Sequence, residues 1–266
     1  LLFRFEHTSK SRLTAIAFDQ SGRRLVTGAA DGTVRLWNFS SGEELRTLSF
    51  GGGGGDGDDD AREVTALLHV THGAFQYYVS VGWSREVCLW PDPDQAKGRL
   101  YARKLSGHTE DILCVAFSPS GNLLATGAYD GSILVWALQS GTLRCRLGPT
   151  EDEEDSVYGR ACEALHFMDM RARAMKEALA LLSCGADGTL RLWNARMGKL
   201  IFGVPDVCAP GESATAMCAE ETNTFVITAD SAGRVKVWDV SKLKTYLEHT
   251  IMGGKVDADG DGLFDE

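Results

Sequence analysis

Residues 124–137 read LATGAYDGSILVWA. An apolar run carries a hydroxyl at Thr126, Asp130-Gly131 make a turn, and a second apolar run closes on Trp136. Short half-buried strands joined by a tight Gly/Asp hairpin require this pattern. Upstream, Gly107-His108 precede a predicted strand, DILCVAF (111–117), and Pro119-Ser120-Gly121-Asn122 form a turn into LLATGA (123–128). Downstream of SILVWA (132–137), TLRCRL (142–147) reads as an edge strand.

The same texture recurs as LVTGAADGTVRLWN (25–38), YVSVGWSREVCLWP (78–91), LLSCGADGTLRLWN (181–194) and VITADSAGRVKVWD (226–239). The closing tryptophans, Trp37, Trp90, Trp136, Trp193 and Trp238, are 53, 46, 57 and 45 residues apart. The shorter spacings match the ~40–45 residue period of a four-stranded propeller blade, with loops making up the excess. These residues resemble the WD40-repeat β-propeller family over roughly residues 1–249, leaving an acidic segment at 250–266. The resemblance implies an all-β fold of four-stranded antiparallel blades, five of them visible, within a seven-bladed or tandem propeller. A closed ring of five is the alternative. LLFRFEH (1–7) looks like the outer strand of a preceding blade, and it lacks an initiator Met and a basic-then-apolar leader. The expectation is a stretch of a longer chain without a secretion signal.

In that family a His, a Ser/Thr, an Asp and the Trp form a buried hydrogen-bonded tetrad. By position these are His7, Thr27, Asp31 and Trp37 in the first repeat and His108, Thr126, Asp130 and Trp136 in the third. The fourth carries Ser183, Asp187 and Trp193 without the His. The second has Ser80 and Trp90 with Ser84 at the Asp position, and the fifth has Thr228 and Trp238 with Ala232 there. Buried polar groups need partners, so these residues are expected to be structural and the incomplete repeats looser.

The chain has a net charge of −10, yet 14 of its 37 acids lie in residues 56–60, 151–155 and 257–266, which contain no Lys or Arg. The remaining body balances 23 acids against 27 bases. The first two acidic stretches fall between repeats and read as solvated loops. MRARAMK (170–176) reads as an enlarged hairpin of the fourth repeat. Seven scattered cysteines with no C-x-x-C predict free thiols in a reducing, cytoplasmic setting. No apolar run approaches the ~18 residues of a membrane span. No clustered basic stripe with aromatics points to nucleic acid.

Val256–Asp265 follows an EF-hand-like loop pattern: Asp257, Asp259 and Asp261 would give side-chain oxygens, Gly262 the turn and Leu263 a carbonyl. The twelfth loop position, normally a bidentate Glu, falls past residue 266. Calcium binding is therefore expected of a longer protein more than of these residues alone, and no other cofactor is implied.

In related propellers the rim of the top face makes partner contacts. Carried over, the rim holds Lys10 and Arg12, Glu63, Thr109 and Asp111 at the starts of inner strands. Ala30, Trp83, Tyr129, Ala186 and Ser231 precede the turn position. Trp83 and Tyr129 on such a rim read as aromatic anchors for a protein or peptide. There is no P-loop, G-x-S-x-G elbow, H-E-x-x-H or zinc-spaced Cys/His cluster. No enzyme and no small-molecule substrate are expected. The function implied is a non-catalytic interaction scaffold. The pairing of WD40 repeats with an EF-hand-like loop is similar to ciliary or axonemal and cytoskeletal proteins. The alternative is a substrate receptor of a cullin-type ubiquitin ligase, for which Trp193-Asn194-Ala195-Arg196 approaches a W-D-x-R ending, with Asn194 in place of the acid.

Overall fold

The computed structural model describes residue 5 and residues 11–48, 63–73, 75–93, 102–148, 161–168, 179–205, 207–220 and 223–240. Repeat one comprises β1 (Leu13–Phe18), β2 (Arg24–Ala29), β3 (Val34–Asn38) and β4 (Glu44–Leu48). Repeat two comprises β5 (Val64–His72), β6 (Phe75–Gly82), β7 (Glu86–Pro91) and β8 (Arg103–Ser106). In repeat three the strands are β9 (Ile112–Ser118), β10 (Leu123–Ala128), β11 (Ile133–Ala137) and β12 (Thr142–Leu147). Repeat four holds β13 (Cys162–Phe167), β14 (Ala180–Gly185), β15 (Leu190–Asn194) and β16 (Lys199–Val204). Repeat five holds β17 (Ala214–Ala219), β18 (Phe225–Asp230) and β19 (Val235–Asp239). Each repeat is one sheet in sequence order, four-stranded in repeats one to four and three-stranded among the described residues of repeat five. The fold is all-β and built of WD40 propeller blades. Residues 1–115 and 116–266 form two compact units, with the boundary inside β9.

Register explains why the motif has fixed spacing. Trp37 lies across from Leu25, Trp136 from Leu124 and Trp193 from Leu181. The hydroxyl residue sits two places further along the same strand, so the period-two pleat puts it on the tryptophan's face within diagonal reach. The inner strands share a feature that periodicity did not reveal. Registers shift at Leu13/Ala15, Val64/Ala66, Cys162/Ala164 and Ala214/Ala216, the same place in four repeats. Such a bulge sharpens the local twist. It also re-aims the skipped residue: Thr14 Oγ1 donates to the Val64 carbonyl at 2.6 Å, and Thr65 Oγ1 to the Ile112 carbonyl at 2.6 Å. Each bond ties one inner strand to the next. At the strand start the chains pass so closely that only glycine fits at Gly82, where a Cβ would collide with the Glu63 carbonyl oxygen.

Within the first unit, the apolar face of repeat one (Val26, Val34, Leu36) packs against Val64, Leu67, Tyr78 and Trp90 of repeat two. Within the second, Leu182, Leu190 and Leu192 of repeat four pack against Val226, Trp238 and Val240 of repeat five. Trp90 and Trp238 thus face the preceding repeat.

Candidate protein-interaction site

The motif residues are placed by one bond repeated five times. The indole Nε1–H donates to the hydroxyl ten residues earlier: Trp37 to Thr27 at 2.8 Å, Trp90 to Ser80 at 2.9 Å and Trp136 to Thr126 at 3.0 Å. Trp193 bonds Ser183 at 2.8 Å and Trp238 bonds Thr228 at 2.9 Å. All ten residues are buried, so the bond satisfies polar groups that burial would otherwise penalise. His108 is buried as well, while His7 lies outside the described residues.

Of the turn aspartates, Asp31 and Asp187 are exposed and Asp130 is half-buried. Their carboxylates close their own turns. Asp31 Oδ1 accepts from Thr33 N at 3.0 Å, Asp130 Oδ1 from Ser132 N at 2.9 Å and Asp187 Oδ1 from Thr189 N at 3.0 Å. In repeat five the sequence position is Ala232, yet the turn has its carboxylate. Asp230, two residues earlier, accepts from Ala232 N at 3.1 Å, Arg234 N at 2.9 Å and Arg234 Nε at 2.8 Å. The sequence carried that signal in Asp230 itself, displaced along a turn short enough for the carboxylate to reach the same amide.

The rim positions are held by the backbone. Ala30 N donates to the Arg12 carbonyl at 2.9 Å, Trp83 N to the Glu63 carbonyl at 3.1 Å and Ala186 N to the Ala161 carbonyl at 2.9 Å. Trp83 and Tyr129 are 39% and 40% exposed. Thr109 is exposed and Asp111 half-buried. Around Trp83 in the first unit, Arg12 forks onto Glu63 at 3.0 and 3.2 Å, and Arg85 reaches Asp111 at 3.5 Å and Glu110 at 3.6 Å. Exposed pairs of this kind are worth only about 0–1 kcal/mol, so they orient charge more than they stabilise. Tyr129 belongs to the second unit. Lys10 and the calcium-loop residues Asp257, Asp259, Asp261 and Leu263 lie outside the described residues, as do the acidic stretches and residues 170–176. Among the described residues no group of three or more His, Cys, Asp or Glu could hold a metal.

A second polar site, which the sequence reading missed, lies at the far end of the same strands in the first unit. A cavity of about 540 Å³ is lined by Asp19, Gln20, Ser21, Arg23, Arg24, His69, Gln76 and Asp92. Arg24 Nη1 donates to both oxygens of Asp92, at 2.8 and 3.1 Å, and Tyr78 Oη donates to Asp92 Oδ2 at 3.4 Å. Burial pushes the Tyr78 hydroxyl up to about 12. His69 Nδ1 accepts from Gln20 N at 3.2 Å, which places the proton of the neutral ring on Nε2, a buried atom with no partner. Burial lowers the His69 pKa, against the opposing pull of Asp19 and Asp92. The Arg24–Asp92 pair and the bond from Gln20 to His69 join repeats one and two as a latch. The sequence signal was the break in pattern: Tyr78 and Asp92 stand where Leu124 and Leu138, or Leu181 and Ala195, stand elsewhere.

The blade geometry defines a repeat protein of the propeller class. The WD40 family (WD domain, G-beta repeat) matches residues 1–38, 100–137 and 175–194, passing over repeats two and five, where the turn Asp is displaced or missing. The chain belongs to the WD40-repeat family. It is similar to "WD repeat-containing protein on Y chromosome" of Drosophila grimshawi, at 31% identity over 86% of this chain and 22% of that protein. The Drosophila mojavensis protein of the same description is 30% identical over 89% of this chain and 22% of that protein. "Periodic tryptophan protein 2" of Arabidopsis thaliana is 39% identical over 37% of this chain and 9% of that protein. The chain spans about a quarter of the length of the first curated relatives it matches. WD40 repeats typically serve as non-enzymatic scaffolds for protein interactions, and among the described residues no helix is long and apolar enough to cross a membrane.

Proposed function

We propose that this chain is a non-catalytic scaffold that takes a protein or peptide through Lys10, Arg12, Trp83, Thr109, Asp111 and Tyr129. The observation that carries the reading is the exposure of Trp83 and Tyr129, which occupy the same place in consecutive repeats. A rigid aromatic held by a backbone bond offers apolar area at low entropic cost, as interface anchors do. Flanking ion pairs supply both signs of charge for orientation. The setting we propose is a cytoplasmic assembly of ciliary or cytoskeletal type, with calcium taken up by the Asp257–Leu263 loop in a longer protein.

Cross-linking mass spectrometry on the protein purified with its native partners tests this, comparing wild type with Trp83→Ala/Tyr129→Ala. Cross-links from the rim to one structural partner, lost in the double variant while the melting temperature holds, support the scaffold. An unchanged partner set overturns the assignment of the rim. Links to a ubiquitin-ligase adaptor would favour the substrate-receptor reading instead, although Asn194 accepts bonds from Arg196 N and Met197 N and serves its own turn.

A further inference from the structure

Repeat two departs from the others at its β5–β6 hairpin. β6 starts three residues before Tyr78, the residue across from Trp90. The second strand of every other repeat starts one residue before the partner of its tryptophan. The added length pairs Thr71 with Gln76 and His72 with Phe75. It makes the hairpin one wall of the cavity whose other wall is the Asp19–Arg24 turn of repeat one. The walls are tied to each other. Gln20 N donates to His69 Nδ1 and Thr71 Oγ1 to Gln20 Oε1, both at 3.2 Å, and Arg24 pairs with Asp92 at 2.8 Å. A cleft fixed in this way asks little ordering of itself when something enters.

Its polar groups are unequally matched. Both carboxylates are already engaged. Asp19 accepts from the Ser21 hydroxyl at 2.6 Å and from the amides of Arg23 and Arg24 at 2.9 and 3.0 Å. Asp92 accepts from Arg24 at both oxygens and from Tyr78. Two donors are left over. The Arg23 side chain is exposed and has no carboxylate partner among the described residues. His69 Nε2 is buried in the hairpin wall without an acceptor. None of the eight lining side chains is apolar, whereas pockets for small molecules are lined mostly by apolar and aromatic groups. We propose that this cleft between repeats one and two binds a partner peptide through an oxyanion on one of its side chains, a carboxylate or a phosphate, held chiefly by the guanidinium of Arg23. A planar guanidinium fork matches either oxyanion in two parallel bonds. The cleft lies at the opposite end of the strands from Trp83, and neither assignment depends on the other.

Retention of the native full-length protein on immobilised peptide libraries tests this. The libraries differ only in a fixed central residue, which is glutamate, phosphoserine or glutamine. The wild type is expected to be retained roughly fivefold or more better on an acidic library than on the glutamine one, as a charge-assisted bond allows. Whichever acidic library holds it tells carboxylate from phosphate. Arg23→Glu should abolish the preference, and Arg23→Lys should keep part of it, since a point charge replaces the fork. Gln76→Glu sets a like charge on the hairpin wall and should weaken retention with Arg23 intact. Melting temperatures equal to the wild type's in these variants separate loss of binding from loss of fold. Equal retention on all three libraries overturns the proposal, and so does a preference that survives Arg23→Glu. Loss with Arg23→Glu but none with Gln76→Glu overturns it too, because the anion then sits on the open surface around Arg23 and not in the cleft. So does Arg23-dependent binding to phosphatidylserine vesicles without selection among the peptides, which would assign the arginine to a membrane.

Discussion

In repeat three the turn before the tryptophan strand is closed by Asp130, which accepts from both the amide and the hydroxyl of Ser132, and Gly131 adopts φ 78°. In repeat two the same turn holds Ser84 and Arg85, and Arg85 adopts φ 60° where the other repeats place a glycine. A left-handed conformation costs a side-chain-bearing residue about 1–2 kcal/mol. Arg85 offsets part of that cost by reaching Asp111 and Glu110. Yet Trp90 is held by Ser80 at 2.9 Å, as firmly placed as Trp136 by Thr126 at 3.0 Å. The indole–hydroxyl pair is therefore the invariant part of the repeat, and the turn is where chemistry can vary.

If that is right, the tryptophans should be equivalent and the turns should not. Trp136→Ala and Trp90→Ala remove fully packed indoles and leave Thr126 or Ser80 without its donor. Each is expected to cost about 3–5 kcal/mol, read from the denaturation midpoint. A cost for Trp90 far below that for Trp136 would mean that repeat two is loosely held and the comparison fails. Next in size, Asp130→Ala and Asp230→Ala each free two or more donors and should cost about 1–3 kcal/mol. Ser84→Ala should stay within about 0.5 kcal/mol, as surface changes do. Equal losses at Ser84 and Asp130 would show that repeat two depends on its turn after all.

Arg85→Gly sharpens the comparison further. It relieves the left-handed strain but loses exposed ion pairs worth about 0–1 kcal/mol and adds glycine entropy of about 0.5–1 kcal/mol. The expected outcome is a change of under about 1 kcal/mol, whereas Gly131→Arg in repeat three should destabilise by about 1–2 kcal/mol. A large loss from Arg85→Gly would assign the Arg85 ion pairs a role well beyond that of surface charges.

Most of the repeat was legible because its spacing is set by the pleat. The hydroxyl and the tryptophan must share a face, and Asp-Gly must sit at the hairpin, so both show as fixed offsets in the sequence. LLATGA and TLRCRL coincide with β10 and β12 residue for residue. What stayed hidden arises from tertiary register. The inner-strand bulges carry only a short mark, a skipped Thr14, Thr65 or Thr215 in three repeats and Glu163 in the fourth, each before an alanine, which strand periodicity does not single out. Asp230 closes its turn from an offset position because a carboxylate can reach the same amide from two places. The latch of Arg24, Tyr78 and Asp92 joins residues 68 apart in sequence, and only their departure from the apolar pattern gave notice of it.

The latch supplies the smallest effect, and it distinguishes the first two repeats from the rest. Burial holds the His69 pKa below 6.5, so between the folded value and 6.5 the unfolded chain binds more protons than the folded one. Stability then rises with pH in that window. It is fully present above about pH 6.5 and is lost as the pH falls from there toward the folded value, below which no more is lost. His166, bonded to Asn223 at 3.3 Å and also lowered by burial, adds a loss of the same sign from the second unit. Asp19 acts at lower pH. Burial pushes its carboxyl up, but bonds from Ser21 and the amides of Arg23 and Arg24 outweigh this and hold it below 3.8, so it withdraws stability only under strong acid. Melting temperatures measured from pH 7.5 down to 5 should fall for the wild type and fall less for His69→Gln, with His166→Gln reducing the slope further. If His69→Gln leaves the slope unchanged, its imidazole is already solvated enough to titrate normally, and the bond from Gln20 does not hold the ring in the latch.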